Sequence, residues 1–411
     1  MRLLGYQTPM APKTCSLAFC FLVVAGCTGA STSLTDAGAP VAYYPDVQAL
    51  IQQHCETCHL PGGVAPFPLV TFDDAQAEHA ALAAAVQARR MPPWMPSDGC
   101  LALQGDRRLT DAEVAVFVDW SAQGAPEGDP SKAVPFTSPD AGLPWVDVTL
   151  QPADAYLPDG ALSDDYHCFS LDPGLTADQF LVGLDIVPEQ RQLVHHVLLF
   201  AATAADAQAA DDAQPGPGWT CFGGPGLSNA QPRLLGGWVP GSSATTFPDT
   251  TGIQMKAGEV VVMQVHYNLA NGGPAPDRTT ARLQLARGPI AKPAALLPLA
   301  DLTFAIPPSA TGYSSSTSGA APATGLVWGV APHMHVKGRQ ISVEAGGGCL
   351  VEVPAWDFRW QQIYFFQSPL PVTAGTPFTL TCTWDNPTAS TVTWGEGTAD
   401  EMCLSYLYAT L

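Results

Sequence analysis

The segment Val260-Val261-Val262-Met263-Gln264-Val265-His266-Tyr267-Asn268-Leu269 is a valine-rich apolar run that contains one histidine, and the turn cluster Asn271-Gly272-Gly273-Pro274 follows it. Runs of this composition, bounded by turn residues, predict buried β-strands. Comparable runs lie on both sides of it, and helical periodicity disappears after Trp145. They occupy residues 193–201, 326–330, 341–344 and 378–384. The chain after Trp145 is therefore predicted to be all-β.

The predicted β region, residues 148–411, is longer than one ordinary sandwich of about 100 residues. A proline-containing run at residues 290–297 and a stretch rich in Ser, Thr and Ala at residues 312–325, interpreted as a loop, indicate that a second unit begins near residue 289. We therefore predict two jelly-roll-like β-sandwiches, which occupy residues 148–288 and 289–411.

The part of the chain before the β region predicts a small all-α domain at residues 45–124. Apolar residues at 47, 50 and 51 share a helical face, and residues 72–90 are rich in strong helix formers. Thr110 and Glu113 have the spacing of a capping box, which predicts the start of a third helix. The flanking segments are rich in small and turn-forming residues. They are predicted to be a flexible tether at residues 28–44 and a linker at residues 125–147.

The first 27 residues have the pattern of an export signal. Arg2 and Lys13 precede the apolar run 17–25, which is too short to span a membrane permanently. Cys27 directly follows Val24-Ala25-Gly26, as in the bacterial lipoprotein signal, in which that cysteine is lipidated; an ordinary secretory signal cut nearby is the alternative. We therefore expect an exported, periplasmic or cell-envelope lipoprotein of a bacterium, with the lipid anchor as its only membrane attachment.

The charge balance excludes some partners. The 411 residues include 17 basic and 37 acidic side chains, and the formal net charge is −20. No cluster of Lys and Arg could follow a phosphate backbone, so nucleic acid is not expected as a partner. Charged residues make up only 13% of the chain, while Gly and Pro number 38 and 39. This composition favours short strands and loops over long surface helices.

Cys55-Glu56-Thr57-Cys58-His59 is the C-x-x-C-H pattern of covalently bound c-type haem. Two thiols at this spacing can add to the two haem vinyl groups, and His59 would then bind the iron. A disulfide or a zinc half-site is the alternative, but a zinc site would need a second Cys/His pair, which this domain lacks. We therefore expect one covalent haem c, together with an electron donor that reduces it.

A methionine later in the helical domain is the expected second ligand of the haem iron. Met91 and Met95 are the candidates, because both flank the Pro92-Pro93-Trp94 sequence. The run from Arg90 to Trp94 resembles the distal segment of a group of small bacterial cytochromes c, in which the methionine before the prolines binds iron. Met91 is therefore preferred to Met95.

His333 and His335 form the first of two candidate copper sites. They are two residues apart, so on a strand they share a face, whereas Met334 points the other way. A third ligand must come from elsewhere, and Met402 is the methionine that follows Met334 in the chain. Two imidazoles and a thioether suit Cu(I) and do not suit zinc or magnesium.

A second candidate site combines His195, His196 and His266. Since neighbouring residues of a regular strand point to opposite faces, His195 and His196 need a β-bulge or a strand end to reach one metal. An all-imidazole site suits copper that changes oxidation state, or zinc equally well.

The candidate ligands lie in four runs: Val194-His195-His196-Val197-Leu198-Leu199-Phe200, Gln264-Val265-His266-Tyr267, His333-Met334-His335-Val336-Lys337-Gly338-Arg339 and Asp400-Glu401-Met402-Cys403. Together these runs resemble the copper type II ascorbate-dependent monooxygenases, a family that includes peptidylglycine- and dopamine-hydroxylating enzymes. The resemblance covers roughly residues 148–411 and implies two sandwiches with one copper each. It implies that His195, His196 and His266 bind the electron-transfer copper, and that His333, His335 and Met402 bind the copper that reacts with O₂.

The same resemblance implies two disulfides, Cys168–Cys221 and Cys382–Cys403. Cys100 and Cys349 have no counterpart in the family and are either free or paired with each other.

The chain departs from the peptide-amidating enzymes at two positions that touch substrate. Ala331 stands where those enzymes have a carboxylate-binding arginine, and Leu404 where they have an asparagine. Tyr406 matches a tyrosine that contacts substrate, and Gln264 matches a residue beside an electron-transfer histidine. These differences predict a more apolar substrate pocket.

These observations predict an exported haem–copper oxidoreductase. We expect it to hydroxylate a C–H bond of a small organic substrate with O₂, with two coppers and with electrons relayed through the haem. The alternative is a non-catalytic protein that transfers electrons through haem and copper, or that only binds copper.

Overall fold

The computed structural model describes residues 40–61, 65–135, 142–227, 232–240, 242–248, 250–269, 273–395, 397 and 399–411. The predicted export signal, the lipidation site at Cys27 and most of the predicted tether lie outside the described residues. None of the helices in the described ranges is long and apolar enough to cross a bilayer.

Five short α-helices and twenty β-strands are present in this part of the chain. The helices are α1 (Gln48–His54), α2 (Phe72–Ala77), α3 (His79–Gln87), α4 (Asp111–Ala122) and α5 (Ala204–Asp211). The strands are β1 (Val148–Leu150), β2 (Asp164–Leu171), β3 (Gln179–Val187), β4 (Val194–Thr203), β5 (Trp219–Thr220), β6 (Arg233–Trp238), β7 (Thr245–Thr246), β8 (Thr251–Met255), β9 (Glu259–Asn268), β10 (Thr280–Leu285), β11 (Lys292–Ala300), β12 (Ala305–Ile306), β13 (Tyr313–Ala320), β14 (Gly325–His333), β15 (Gly338–Ala345), β16 (Gly348–Val353), β17 (Tyr364–Val372), β18 (Pro377–Trp384), β19 (Val392–Thr393) and β20 (Leu404–Thr410). Single turns of other helix types lie at Tyr43–Val47, Pro130–Lys132 and Phe358–Trp360.

The first four helices enclose a small apolar core. Ile51, Phe117 and Trp120 are fully buried in it. The predicted capping box is present, because the Thr110 hydroxyl accepts from the Glu113 backbone N–H and the Glu113 carboxylate accepts from the Thr110 N–H. The helical stretch predicted at residues 72–90 is divided at Glu78, where the backbone leaves helical geometry between α2 and α3.

The β region is built on one large sheet with the strand order β1-β10-β3-β8-β11-β20-β14-β17, to which β7 adds through β3. β11 pairs in parallel with β8 and antiparallel with β20, so it joins the first half of this sheet to the second. A hydrogen bond of 2.9 Å between the hydroxyls of Thr251 and Tyr408 crosses the same junction. The two halves of the β region therefore share a continuous sheet.

Two smaller sheets cover the large one and complete two sandwiches. A five-stranded sheet of order β5-β2-β9-β4-β6 packs on its first half, and a four-stranded sheet of order β13-β18-β15-β16 packs on its second half. The first core contains Val197, Val265 and Leu283, and the second contains Val330 and Leu380, all completely buried. The second sandwich also includes the short pair β12–β19.

Residues 312–325, which were expected to form a loop, contain strand β13 instead. Its side chains alternate between half-buried and exposed along the whole strand. It pairs with β18 at the edge of the four-stranded sheet, where a hydrogen bond of 2.8 Å joins the hydroxyls of Ser316 and Thr381. A solvated edge strand needs little apolar surface, so this Ser- and Thr-rich strand lacks the apolar pattern from which strands are predicted.

Three disulfides fix parts of the β region. Cys168 is bonded to Cys221 and Cys382 to Cys403, which are the pairs that the family resemblance implies. The third joins Cys100 to Cys349. It therefore links the segment between α3 and α4 to strand β16 of the second sandwich.

This segment, residues 93–107, is called the strap below. It lies along β16 and β17: the Ser97 N–H donates to the Glu352 carbonyl and the Gln104 N–H to the Phe365 carbonyl, both at 2.8 Å. The Trp94 ring meets the Tyr364 ring edge-on at 5.5 Å. The strap thus fastens the helical region to the second sandwich.

Candidate metal centres

The first donor set consists of His195, His196 and His266 on the neighbouring strands β4 and β9. His196 pairs directly with His266, and the register shifts between Val194 and His196, so His195 occupies a β-bulge. The bulge was required for two adjacent histidines to reach one centre. The Nδ1 atom of His196 lies 3.4 Å from Nδ1 of His195 and 3.4 Å from Nδ1 of His266. One nitrogen from each ring can be chosen so that all three lie within 4.8 Å of one another.

The first donor set is neutral and oriented for metal binding. Burial lowers the pKa of His195 to about 3, with neighbouring imidazoles adding to the effect, and it lowers the pKa of His196 and His266 as well. The Nε2 atom of His266 is 2.9 Å from a carboxylate oxygen of Asp164, and the His266 ring stacks on Tyr166 at 4.0 Å. Because Nε2–H donates to Asp164, the Nδ1 lone pair of His266 is free for a cation.

The second donor set consists of His333, His335 and Met402. His333 is the last residue of β14, and the ring centroids of His333 and His335 are 5.2 Å apart. Met334 is completely buried in the second core, so it points away from the two histidines, as predicted. Burial lowers the pKa of His333 to about 3 and of His335 to about 4, so both rings are neutral near pH 7.

The opposite ring nitrogens are available in the second donor set. Nδ1 of His333 is hydrogen-bonded to the side-chain oxygen of Gln361, and Nδ1 of His335 lies 3.3 Å from the Asp400 carbonyl. These contacts leave Nε2 of both rings for a metal.

Chain pairing brings the segment that contains Met402 to these histidines. His333 pairs with Leu404, and the His335 N–H donates to the Glu401 carboxylate at 3.0 Å. Met402 lies between these two partners and is buried. Glu401 also accepts from the Lys337 N–H at 2.6 Å and from the Trp384 indole at 3.0 Å. Glu401 therefore ties the turn that carries His335 to the turn that carries Met402.

The residues present fit copper at both centres. Three neutral imidazole nitrogens converge in the first set, which suits copper in either oxidation state. Two imidazoles and a thioether in a buried place suit Cu(I).

The C-x-x-C-H segment fits a haem. Cys55 and Cys58 are, among the described residues, the cysteines outside disulfides. Nδ1 of His59 is 2.9 Å from the Phe67 carbonyl, to which it donates, so Nε2 is available to an iron. Met91 packs against the same helical core as Cys55. Met95 instead packs against the second sandwich, where its sulfur accepts from the Asp357 N–H at 3.2 Å.

Tyr406 lies on β20, opposite Ala331 of β14. Side chains two apart on a strand share a face, so Tyr406 shares a face with Leu404 and with Tyr408, which belongs to the core of the first sandwich. Tyr406 and Leu404 are thus on the side of β20 that faces the first sandwich, and both are half-buried.

Several residues that contact the ligands were missed in the sequence. Glu401 could have been noticed, since it adjoins Met402 in a motif already quoted. Asp164, Gln361 and Phe358 are far from their histidines in sequence and have no local signal. Only the pairing of strands and the packing of loops brings them to the sites.

Comparison with protein families identifies the β region. Residues 154–273 match the N-terminal domain of the copper type II ascorbate-dependent monooxygenases, and residues 299–409 match the C-terminal domain. The matched segments together cover more than half of the chain. The matched domains therefore define a copper-dependent monooxygenase. The chain belongs to the copper type II ascorbate-dependent monooxygenase family, which binds two copper ions.

Other comparisons add little. A comparison with curated proteins gave no significant match. Similar solved structures include the VP2 subviral particle of infectious bursal disease virus, at 10% identity over 66% of this chain and 74% of that chain, with a TM-score of 0.18. The T13 particle of the same virus has 10% identity over 66% of this chain and 71% of that chain, with a TM-score of 0.16. Likenesses this weak carry no argument about fold or function.

Proposed function

We propose that this protein is an exported, haem-fed dicopper monooxygenase that hydroxylates a C–H bond of a small organic substrate. In the balanced reaction, R–H, O₂, two electrons and two protons give R–OH and water. The observation that carries the proposal is the presence of two separate, neutral donor sets, one of imidazoles and one of imidazoles with a thioether. Copper, when bound, would carry to O₂ the two electrons that an external donor supplies.

The chain's own residues hold the two centres in fixed orientations. The first donor set presents Nδ1 atoms, and Asp164 fixes the tautomer of His266. The second donor set presents Nε2 atoms. The Glu401 carboxylate fixes the backbone at His335 and Lys337, from which it accepts hydrogen bonds. We assign the first set to the electron-transfer copper and the second to the copper at which O₂ and substrate react.

Leu404 and Tyr406 favour an apolar substrate. Both lie on the face of β20 that is directed toward the first sandwich. Ala331, which pairs with Tyr406, offers no charge to bind a carboxylate. The surface formed by Leu404, Tyr406 and Ala331 best fits an apolar substrate that needs no carboxylate to bind. The Tyr406 hydroxyl is a polar group that can orient such a substrate.

We also propose that Cys55, Cys58 and His59 hold a covalent haem c, with Met91 as the second iron ligand. The support is the free Nε2 of His59 and the placement of Met91 and Cys55 around one core. Haem supplies one-electron transfer. Ascorbate is the usual donor in this family, and the acidic charge of −20 disfavours the approach of its anion.

The surroundings of Cys58 support delivery of electrons to the first donor set. Burial raises the pKa of the Cys58 thiol, and the guanidinium groups of Arg107 and Arg191 lie near enough to oppose that rise. Arg191 belongs to the loop that leads into β4, four residues before His195. The haem motif is therefore within electrostatic reach of the loop that leads to this donor set.

Export and lipidation at Cys27 complete the proposal. The support is the N-terminal signal pattern together with three disulfides, which persist in oxidising compartments outside the cytoplasm.

The test uses full-length protein purified with haem and loaded with copper. Uptake of labelled O₂ is measured against a panel of apolar substrates, and the product is analysed for one labelled oxygen atom. We expect product equal to O₂ consumed, and none from Met402→Ala, which should also bind one copper fewer. Covalent haem is checked by peroxidase staining of a denaturing gel, where Cys58→Ala should lose the band. Haem and copper that cycle without product would instead favour a non-catalytic electron-transfer or copper-binding protein.

A further inference from the structure

Phe358 lies between the two donor sets, although it belongs to neither. It begins the single helical turn Phe358–Trp360 in the connection between β16 and β17. Its ring stacks on the His195 ring, with 4.6 Å between centroids and 21° between planes. The same ring meets the His335 ring nearly edge-on, at 5.7 Å and 73°. One aromatic side chain therefore contacts a ligand in each sandwich.

The turn that carries Phe358 also holds a third ligand. The Gln361 side-chain N–H donates to the Phe358 carbonyl at 2.8 Å, while the Gln361 side-chain oxygen is hydrogen-bonded to Nδ1 of His333. Gln361 is buried, so this connection is shielded from water. A shift of the Phe358 backbone would therefore be transmitted to His333 as well as to the two rings that Phe358 touches.

The strap fixes this turn from the outside. The Asp357 N–H donates to the Met95 sulfur at 3.2 Å, and Arg107 donates to the side-chain oxygen of Gln362 at 2.7 Å. These contacts lie on the two sides of the turn. The Cys100–Cys349 disulfide anchors the strap between them.

We propose that Phe358 is a positioning residue that sets the distance between the two copper centres and fills the space between their ligands. With a copper in each donor set, electrons would cross from His195 to His335 along this path of ring contacts. The inference rests on the proposed function, because it requires a copper in each donor set. It adds a residue that joins them, and it gives the helical region a part in holding that residue.

The test compares Phe358→Ala and Phe358→Tyr with the unaltered protein. Arg359→Ala is the matched control, because it changes an exposed side chain on the same turn whose partner is Asp357. Copper per chain is counted first. The Cu(II)–Cu(II) distance is then measured by pulsed dipolar electron spin resonance, and the rate at which the first copper is oxidised by the second is measured in a single turnover.

We expect two coppers per chain in all four proteins. In Phe358→Ala the distribution of copper–copper distances should broaden and the inter-copper transfer rate should fall about tenfold or more, while Phe358→Tyr and Arg359→Ala stay close to the unaltered protein. If Phe358→Ala binds two coppers and keeps both the copper–copper distance and the inter-copper transfer rate, the role of Phe358 is overturned. The proposed function is not affected by that result. Fewer than two coppers in the unaltered protein would overturn the proposed function, and this inference with it.

If Phe358→Ala fails to fold, Phe358→Leu keeps apolar bulk without the aromatic ring. It should retain the copper–copper distance and still lose transfer rate, because the ring contacts are missing. Full transfer in Phe358→Leu would contradict the ring path.

Discussion

The histidines of the two donor sets present opposite ring nitrogens, and each choice follows from one hydrogen bond. Asp164 engages Nε2 of His266, so its Nδ1 faces the centre. Gln361 engages Nδ1 of His333, so its Nε2 is left. Partners of this kind raise the basicity of the ligand and hold its ring in place. They are therefore expected to affect metal affinity although they bind no metal.

The first prediction concerns Asp164. Asp164→Ala should lower the copper affinity of the first donor set about 10–100-fold, because His266 loses the group that orients it. Asp164→Asn keeps a hydrogen-bond acceptor for His266 and should lower this affinity less. The copper affinity of the second donor set should not change. Competitive titration with a Cu(I) chelator measures both sites.

Asp172→Ala is the control for this prediction, since Asp172 is exposed just beyond the opposite end of β2. Equal loss at both copper sites in Asp164→Ala would indicate a general effect on folding and would contradict a role in orienting His266.

The elements that carry the ligands differ in how well the sequence predicts them. β4 and β9 were predictable because burial on both faces makes them nearly continuous apolar runs. The need for a bulge at His195 followed from the period of a strand, and the structure contains it. β13 was missed because a solvated edge requires no apolar pattern. The turn at Phe358 was missed because its contacts are long-range and leave no periodic pattern.

The second prediction concerns the start of β20, where Cys382–Cys403 fixes the residue next to Met402. Replacing both cysteines with alanine should lower the free energy of unfolding by roughly 2–4 kcal/mol, as for disulfides generally. The same change should also lower the copper affinity of the second donor set more than that of the first, because the disulfide no longer fixes the residue next to Met402. Urea unfolding and the chelator titration measure the two effects.

The matched control for this prediction is the pair Cys100→Ala and Cys349→Ala, which removes the disulfide of the strap. If both double variants changed second-site copper affinity equally, the local role of Cys403 would be wrong.

At the scale of the whole molecule, buried neutral histidines make folding depend on pH. The pKa of His195 and His333 is lowered to about 3, and that of His335 to about 4, chiefly by burial. In the unfolded chain these groups titrate near 6.5. The unfolded state therefore binds more protons below this pH, and acid favours unfolding. Glu56 and Glu401, whose pKa values are raised to about 7 by burial, act in the opposite direction, but they are two carboxyls against these three histidines.

The third prediction follows for the metal-free protein. The contribution of these histidines to the free energy of unfolding should be fully present above about pH 7. The free energy of unfolding should then fall as the pH drops from 6.5 toward 4, by up to about 1.4 kcal/mol per pH unit for each histidine. Urea unfolding at several pH values measures this slope. His333→Gln combined with His335→Gln should reduce it. A stability that rises steadily from pH 7 to pH 5 would contradict the neutral state of the two donor sets.

The helical region and the sandwiches are fastened together by the strap, and this arrangement bears on how electrons enter. The strap is disulfide-bonded to β16 and touches the turn that lies between the donor sets. The Arg191 guanidinium, in the loop that leads to His195, is within electrostatic reach of the Cys58 thiol. A haem held at Cys55 and Cys58 would therefore be a built-in donor, and its electrons should pass first to the first donor set and then to the second.

The reoxidation of pre-reduced haem, followed by stopped-flow absorbance, shows whether the haem is the donor to the coppers. We expect the haem to reoxidise faster in protein loaded with Cu(II) than in copper-free protein, and a protein lacking His195, His196 and His266 to behave like the copper-free form. Loss of Met402 should leave haem reoxidation by the first donor set in place. Equal haem reoxidation rates with and without copper would contradict electron transfer from the haem to the coppers and would leave two unconnected modules on one chain.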